Sequence, residues 1–275
     1  MAANQEIDRI KEWQLLRGFT NLLHKENRAW WGTRRWWINA LIWPIILTGL
    51  LANILFVPSI ANLATESEIA LAGGITAYIL GMGLSVFFEF GTTAVGIGTI
   101  ILCQDLIVTE KQNGSAVWLL SKPITRNAYI LAKLAANAFP ILLLLIGLPA
   151  LIAYAMLSIR LGACFPWVPF LSATGILIIH TGFYLSMTLM LGTLFNNRGA
   201  ILGISLGSVL GGSLMGSLVK PLLLISPWML PKIASLVGNG MAIPSEIGPT
   251  PLVASSLWSL IFIGVALFQF EKTEF

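Results

Sequence analysis

Charge-free runs, with no Asp, Glu, Lys or Arg, extend over residues 36–65, 90–104, 134–159, 161–197, 199–219 and 247–270 among others. Most exceed the ~20 residues that a helix needs to cross the hydrocarbon core of a bilayer. In lipid, every backbone N–H and C=O must be paired inside its own segment or in a closed barrel. None of these stretches alternates apolar with polar residues as a barrel strand does. At 56% hydrophobic and 10% charged, with mean hydropathy +0.84, the chain also lies far from the roughly 25% charged make-up of soluble domains. The sequence therefore predicts an all-α integral membrane protein of six transmembrane helices, over 38–60, 82–103, 134–157, 170–195, 199–219 and 252–270.

Orientation follows from charge. Thirteen of the 16 Lys and Arg residues fall in the N-terminal arm, between the second and third spans, between the fourth and fifth, and in the C-terminal tail. Only Arg160, Lys220 and Lys232 fall on the other side. The positive-inside rule then places both termini in the cytoplasm. With six crossings, the glycine-broken segment 69–81 must be an outer or re-entrant piece ahead of one full span. Residues 1–37 set Ile7, Ile10, Trp13, Leu16, Phe19, Leu22 and Leu23 among charges at near-helical spacing, followed by Trp30, Trp31, Trp36 and Trp37. This predicts an amphipathic interfacial helix, either a surface anchor or a contact for a cytoplasmic partner. The remainder, 38–275, reads as one transmembrane domain with an inner loop at 105–133. Its outer loop, at 226–251, is expected to fold back as a short surface helix and cap.

The net charge of +4 sits on the cytoplasmic flank, where anionic headgroups account for it without nucleic acid. Cys103 and Cys164 fall on opposite sides, so no disulfide is expected. No cleavable leader is apparent, and the first span serves for targeting.

Several polar residues interrupt the apolar runs. Glu89 is the only charge expected inside the bilayer, where a carboxylate costs at least about 2.5–3.5 kcal/mol unless it is protonated, paired or wet. It marks a translocation pathway with Thr92 and Asn137, or else lies near the outer interface. His180 is a lone membrane histidine, expected to be neutral and hydrogen-bonded. Gly203, Ser205 and Gly207 spell G-x-S-x-G, but a nucleophile elbow needs a strand, a sharp turn and a helix. Gly199, Gly203, Gly207 and Gly211 form a four-residue ladder that permits close helix approach, inside the subunit or across a dimer seam. No phosphate-binding loop and no metal-ligand cluster is present, so any ATP must be bound elsewhere.

The polar island at 108–133 carries the most specific pattern. Glu110, Gly114 and Ser115, then Leu119, Leu120, Ser121, Pro123, Ile124, Thr125 and Arg126, and finally Lys133, resemble the E-x-x-x-G-[ST]…L-L-[ST]-x-P-[IV]-[ST]-R…K signature of type-2 ABC exporter permeases. Lys25, Glu26 and Arg28, ahead of Arg34, Arg35, Trp36 and Trp37, resemble that family's basic opening helix.

The resemblance implies a permease subunit of an ABC exporter in a prokaryotic plasma (inner) membrane. It implies separate ABC ATPase subunits that hold ATP and Mg, a second permease copy, identical or not, and no cofactor on this chain. It makes 115–122 a cytoplasmic coupling helix. Gly114 would turn the chain, Ser115 cap the helix, and Trp118, Leu119 and Leu120 enter a groove on the ATPase. Pro123 would end the helix and Arg126 contact the partner or a lipid phosphate. Glu110 and Lys133 would form a gate ion pair, or stand as solvated boundary charges. The competing readings are a gradient-driven secondary transporter and an intramembrane hydrolase using Ser205 and His180.

Overall fold

The computed structural model describes residues 16–57 and 64–272, apart from the side chains of residues 117, 213–218 and 220. All of its regular structure among these residues is helical. The chain runs through α1 (Phe19–Trp31), α2 (Arg35–Phe56), α3 (Glu66–Ala72), α4 (Ile75–Cys103), α5 (Val108–Gln112), α6 (Ser115–Leu120) and α7 (Arg126–Ile141). A π-helical stretch, Leu142–Gly147, leads into α8 (Leu148–Leu161), followed by α9 (Trp167–Leu194), α10 (Arg198–Leu218), α11 (Lys220–Leu224), α12 (Leu230–Gly238) and α13 (Thr250–Lys272).

Among the described residues, five continuous helical runs are long and apolar enough to cross a membrane: Arg35–Phe56, Ile75–Gln112, Arg126–Leu161, Trp167–Leu194 and Thr250–Lys272. The helix expected as the remaining span, α10, is apolar over Arg198–Gly212. Hydroxyls inside these helices bond back to carbonyls of their own turn, as Thr48 Oγ1 does to Pro44 O at 2.7 Å and Thr188 Oγ1 to Tyr184 O at 2.7 Å. That removes the cost of placing a polar group among apolar neighbours.

Helix α4 is the axis of the bundle, packed against α2, α9, α10 and α12. Its glycines allow this. A Cβ on Gly98 would lie 2.1 Å from the Trp43 ring, and one on Gly96 would lie 2.9 Å from His180 Cε1. One large core gathers Leu51, Leu55, Leu84, Phe87, Phe88, Leu145, Phe170 and Ile233. Phe87, Phe88 and Phe170 meet there, with ring centroids 5.2–6.3 Å apart.

The structure departs from the sequence reading at four places. Segment 69–81 is not a re-entrant piece. It contains the short helix α3, closed at its start by a Thr65–Glu68 capping box, and the first turns of a spanning helix that begins at Ile75. The chain reverses at Gly73 and Gly74, with φ of +83° and +122°, whereas Gly81 and Gly83 are helical. The third run begins at Arg126 and reaches Leu161, well beyond 134–157, and it contains the π-helical stretch just after Pro140. Proline lacks an N–H and its ring crowds the preceding turn, which favours such a register change.

The stretch at 226–251 forms the expected short helix, but inserts it into the bundle. Helix α12 buries Leu230, Ile233, Ala234 and Gly238 between α4 and α9, and a Cβ on Gly238 would lie 2.8 Å from Phe88. Asn239 Nδ2 donates to Ser85 Oγ at 3.2 Å on α4. Lastly, the interfacial helix expected within 1–37 is helical from Phe19 to Trp31, and α2 starts anew at Arg35. The portion of that expectation at 1–15 lies outside the described residues, as does 58–60 of the first span.

Candidate coupling site and polar cavity

Helix α1 places Leu22, Glu26 and Trp30 on one face at four-residue spacing, and that face is buried against α7. Glu26 thereby reaches Lys133, with Oε1 3.1 Å from Nζ. Glu110 on α5 lies 3.2 Å from the same ammonium and 2.8 Å from Lys25 Nζ. Its other oxygen accepts from Tyr129 Oη at 2.5 Å. Lys133 is only 2% exposed. An ammonium buried this deeply persists because two carboxylates neutralise it; an unpaired one would be strongly destabilising. Burial disfavours the charge on Lys25, but the hydrogen bond and charge of Glu110 outweigh it and hold the Lys25 pKa above the ordinary lysine value.

Asn137, one turn along α7, accepts from Trp30 Nε1 at 2.8 Å and donates to Lys133 O at 2.8 Å. It is 1% exposed and ties α1 to α7. Glu26, Lys25, Tyr129 and Trp30 were not singled out as partners of Glu110 and Lys133 in the sequence. The four-residue spacing of Leu22, Glu26 and Trp30 was the available signal.

Three further ties converge on the same end of the bundle. Lys111 Nζ donates to Thr193 O at 2.6 Å and Gln112 Nε2 to Asn196 O at 2.8 Å, fastening α5 to the end of α9. Arg198 Nη2 donates to Thr109 Oγ1 at 2.8 Å, which adds the start of α10. Arg126 Nη1 reaches Phe270 O at 3.1 Å and Glu271 O at 2.5 Å. Its guanidinium therefore serves the carbonyl end of α13, where the helix dipole favours a cation, rather than projecting toward a partner or a phosphate. Tyr129 and Phe270 stack beside it with centroids 4.9 Å apart.

The turn between α5 and α6 is made by Gly114 at φ +69°, a conformation that glycine adopts without strain. Gly114 itself precedes the helix, and its carbonyl accepts from Trp118 N at 3.2 Å. Ser115 is the first helical residue and so does not sit at the cap position. Helix α6 ends at Leu120, three residues ahead of Pro123.

Of the three apolar residues expected to enter a partner groove, Trp118 is 62% exposed while Leu119 is 7% exposed. Leu119 belongs to the core formed by Leu22, Ile107, Tyr129 and Ile130, with Leu120 packed at its edge. Among the described large apolar side chains of this helix, Trp118 is the exposed one. Lys122 Nζ lies 3.6 Å over the Trp118 ring, a contact worth about 0.5–1 kcal/mol at an exposed site.

A second polar region lies at mid-bundle. Glu89 is exposed at the centre of α4 and borders an open-sided cavity of about 400 Å³ with Thr93, His180, Tyr184, Trp228 and Lys232. Lys232, assigned to the outer side by charge counting, thus reaches the level of Glu89, because α12 descends into the bundle. Neither side chain has an ion pair or hydrogen bond within the described residues. Thr92 faces the interior at 0% exposed and does not line the cavity. Trp228 closes one wall. Its Nε1 donates to Ser208 O at 2.8 Å, and its ring occupies the space that a Cβ on Gly212 would need.

The glycine ladder of α10 faces away from this packing. A Cβ on Gly203, Gly207 or Gly211 would meet nothing within 4 Å, and one on Gly199 would meet only Asn197. The opposite face, through Ile201, Ser205 and Val209, is the buried one, so the ladder does not pack within the subunit. Ser205 lies inside continuous helix, not on a strand-to-helix turn, which removes the geometry a nucleophile elbow requires. Among the described residues no group of three or more His, Cys, Asp or Glu side chains is gathered for a metal ion.

The model of the ABC-2 family transporter proteins matches residues 20–275. The chain belongs to that family. It is an ABC-type permease, a multi-pass membrane component of a transporter. No curated protein matches it. In this ABC-2 permease the match takes in α1, the charge cluster, α6 and the cavity alike.

Proposed function

We propose that this ABC-2 permease exports its substrate using ATP hydrolysed on separate nucleotide-binding subunits that grip α6, with ATP and Mg held by those subunits. The supporting observation is the exposed Trp118 on a helix whose base is locked to the rest of the bundle. A push on α6 passes through Glu110 to Lys133 on α7 and to α1, through Lys111 to α9, and through Arg126 to α13. Aromatic side chains ringed by polar residues are the usual anchors of such contacts. Nucleotide-driven closure of the partner would then bias the bundle between two arrangements.

In this reading α10 completes six crossings, both termini are cytoplasmic, and the membrane is a prokaryotic plasma membrane. A second permease copy, identical or not, pairs with this one, and the outward Gly203, Gly207 and Gly211 stripe suits such a seam. The Glu89 cavity lies on the substrate route. The test is co-purification with the ATPase after Trp118→Ala. ATPase recovery should drop severalfold while the permease retains its thermal stability, and undiminished recovery would remove α6 as the grip.

A further inference from the structure

We propose that the cavity between Glu89 and Lys232 binds a zwitterionic ligand, its ammonium group at Glu89 and its anionic group at Lys232, against the rings of Trp228, Tyr184 and His180. The two charged side chains line one space of about 400 Å³, within the ~300–1,000 Å³ range of small-molecule sites. They are not within ion-pair distance of each other, and among the described residues no other Asp, Glu, Lys or Arg lines the space. A lone cation would be repelled by Lys232 and a lone anion by Glu89. Only a ligand bearing both charges satisfies both walls.

His180 is 2% exposed and lines the cavity, yet its Nδ1 has no hydrogen-bond partner. That nitrogen lies within the wall, on the side of the ring turned to Gly96, so a ligand in the cavity meets the imidazole ring and not Nδ1. The aromatic walls favour the alkylammonium part, since ring faces attract cations. Two sources carry this chemistry: the headgroup of a zwitterionic phospholipid and a free zwitterion. That the ligand is cargo rests on the permease reading above; that it binds does not.

The experiment titrates the full chain in non-ionic micelles, without ATP or partner, and counts adducts by native mass spectrometry. The probes are dihexanoyl phosphatidylethanolamine, dihexanoyl phosphatidylglycerol with equal tails but no ammonium, and glycerophosphoethanolamine without tails. One saturable ethanolamine-lipid adduct is expected, weakened about tenfold by Glu89→Gln and by Lys232→Gln, the factor for losing one charge-assisted contact. The double exchange Glu89→Lys with Lys232→Glu should restore part of the loss. Equal binding by the tail-less probe assigns a free zwitterion, and binding only by the tailed probe assigns a lipid.

Phosphatidylglycerol binding as tightly, or no response to either single variant in protein with an unchanged melting temperature, would overturn the proposal. So would a fall in melting temperature of both variants with no saturable adduct in the parent, the signature of a water-bridged structural pair. None of these outcomes bears on ATPase recovery with Trp118→Ala, so the two readings fail separately.

Discussion

Two polar regions of this permease handle charge in opposite ways. At the Glu110 end, Lys25, Glu26, Glu110 and Lys133 neutralise one another within 3.5 Å, and Tyr129, Trp30 and Asn137 close the surrounding hydrogen bonds. At mid-bundle, Glu89 and Lys232 share a cavity without touching, beside an unpartnered His180 nitrogen. Closed charges hold α1, α5 and α7 together. Open charges contribute nothing to holding helices, and they retain their interaction energy for something that enters.

The contrast can be broken most forcefully at Lys133. Lys133→Met leaves Glu26 and Glu110 with the half-exposed Lys25 as their one remaining cation, and should cost up to about 3–5 kcal/mol in thermal unfolding of the purified protein. Adding Glu26→Gln and Glu110→Gln should recover most of it. If the single substitution is neutral, the cluster is not a clamp.

Leu119→Ala should cost about 2–5 kcal/mol, against about 0.5–1 kcal/mol for Trp118→Ala next to it, which gives up the contact with Lys122. Reversal of that order in paired melts would mean that α6 presents a different face. Gly98→Ala drives a methyl into Trp43 and should cost about 1–3 kcal/mol. On the open face of α10, Gly207→Ala should be neutral or stabilising by up to about 1 kcal/mol in the isolated subunit.

Glu89→Gln should leave the melting temperature within about 0.5 kcal/mol of the parent, because no partner is lost. The smallest effect belongs to Lys25, which is half exposed and screened. Its raised pKa means its contribution is complete below the ordinary lysine value of 10.5 and fades as pH climbs through the higher folded value. The parent should therefore lose more thermal stability than Lys25→Met across that alkaline window.

Much of the transmembrane layout was legible because lipid imposes a simple rule: long charge-free runs must be helices. The expected second, fourth and sixth spans overlap α4, α9 and α13, with shifts of a turn or two at the ends. Glu110 and Lys133 could be placed near each other because they bracket one short polar loop. Their companions on α1 could not, since Lys25 and Glu26 are distant in sequence and only the docking of α1 on α7 brings them in. Two glycine-rich helices illustrate the same limit. The regular ladder of α10 drew attention, whereas the irregular Gly83, Gly96 and Gly98 of α4 are the glycines that neighbouring side chains press against.

Hydropathy and charge placement alone determined that this chain is a helical membrane protein with a polar hinge at 108–133, since burying unpaired backbone or bare charge in hydrocarbon costs too much for any alternative. Tertiary structure alone decided which polar groups are satisfied. Insertion of α12 between α4 and α9 carries Lys232 to the level of Glu89, and the docking of α1 turns a solvated boundary pair into a buried cluster. Both outcomes depend on distances between segments far apart in the chain, which periodicity does not encode.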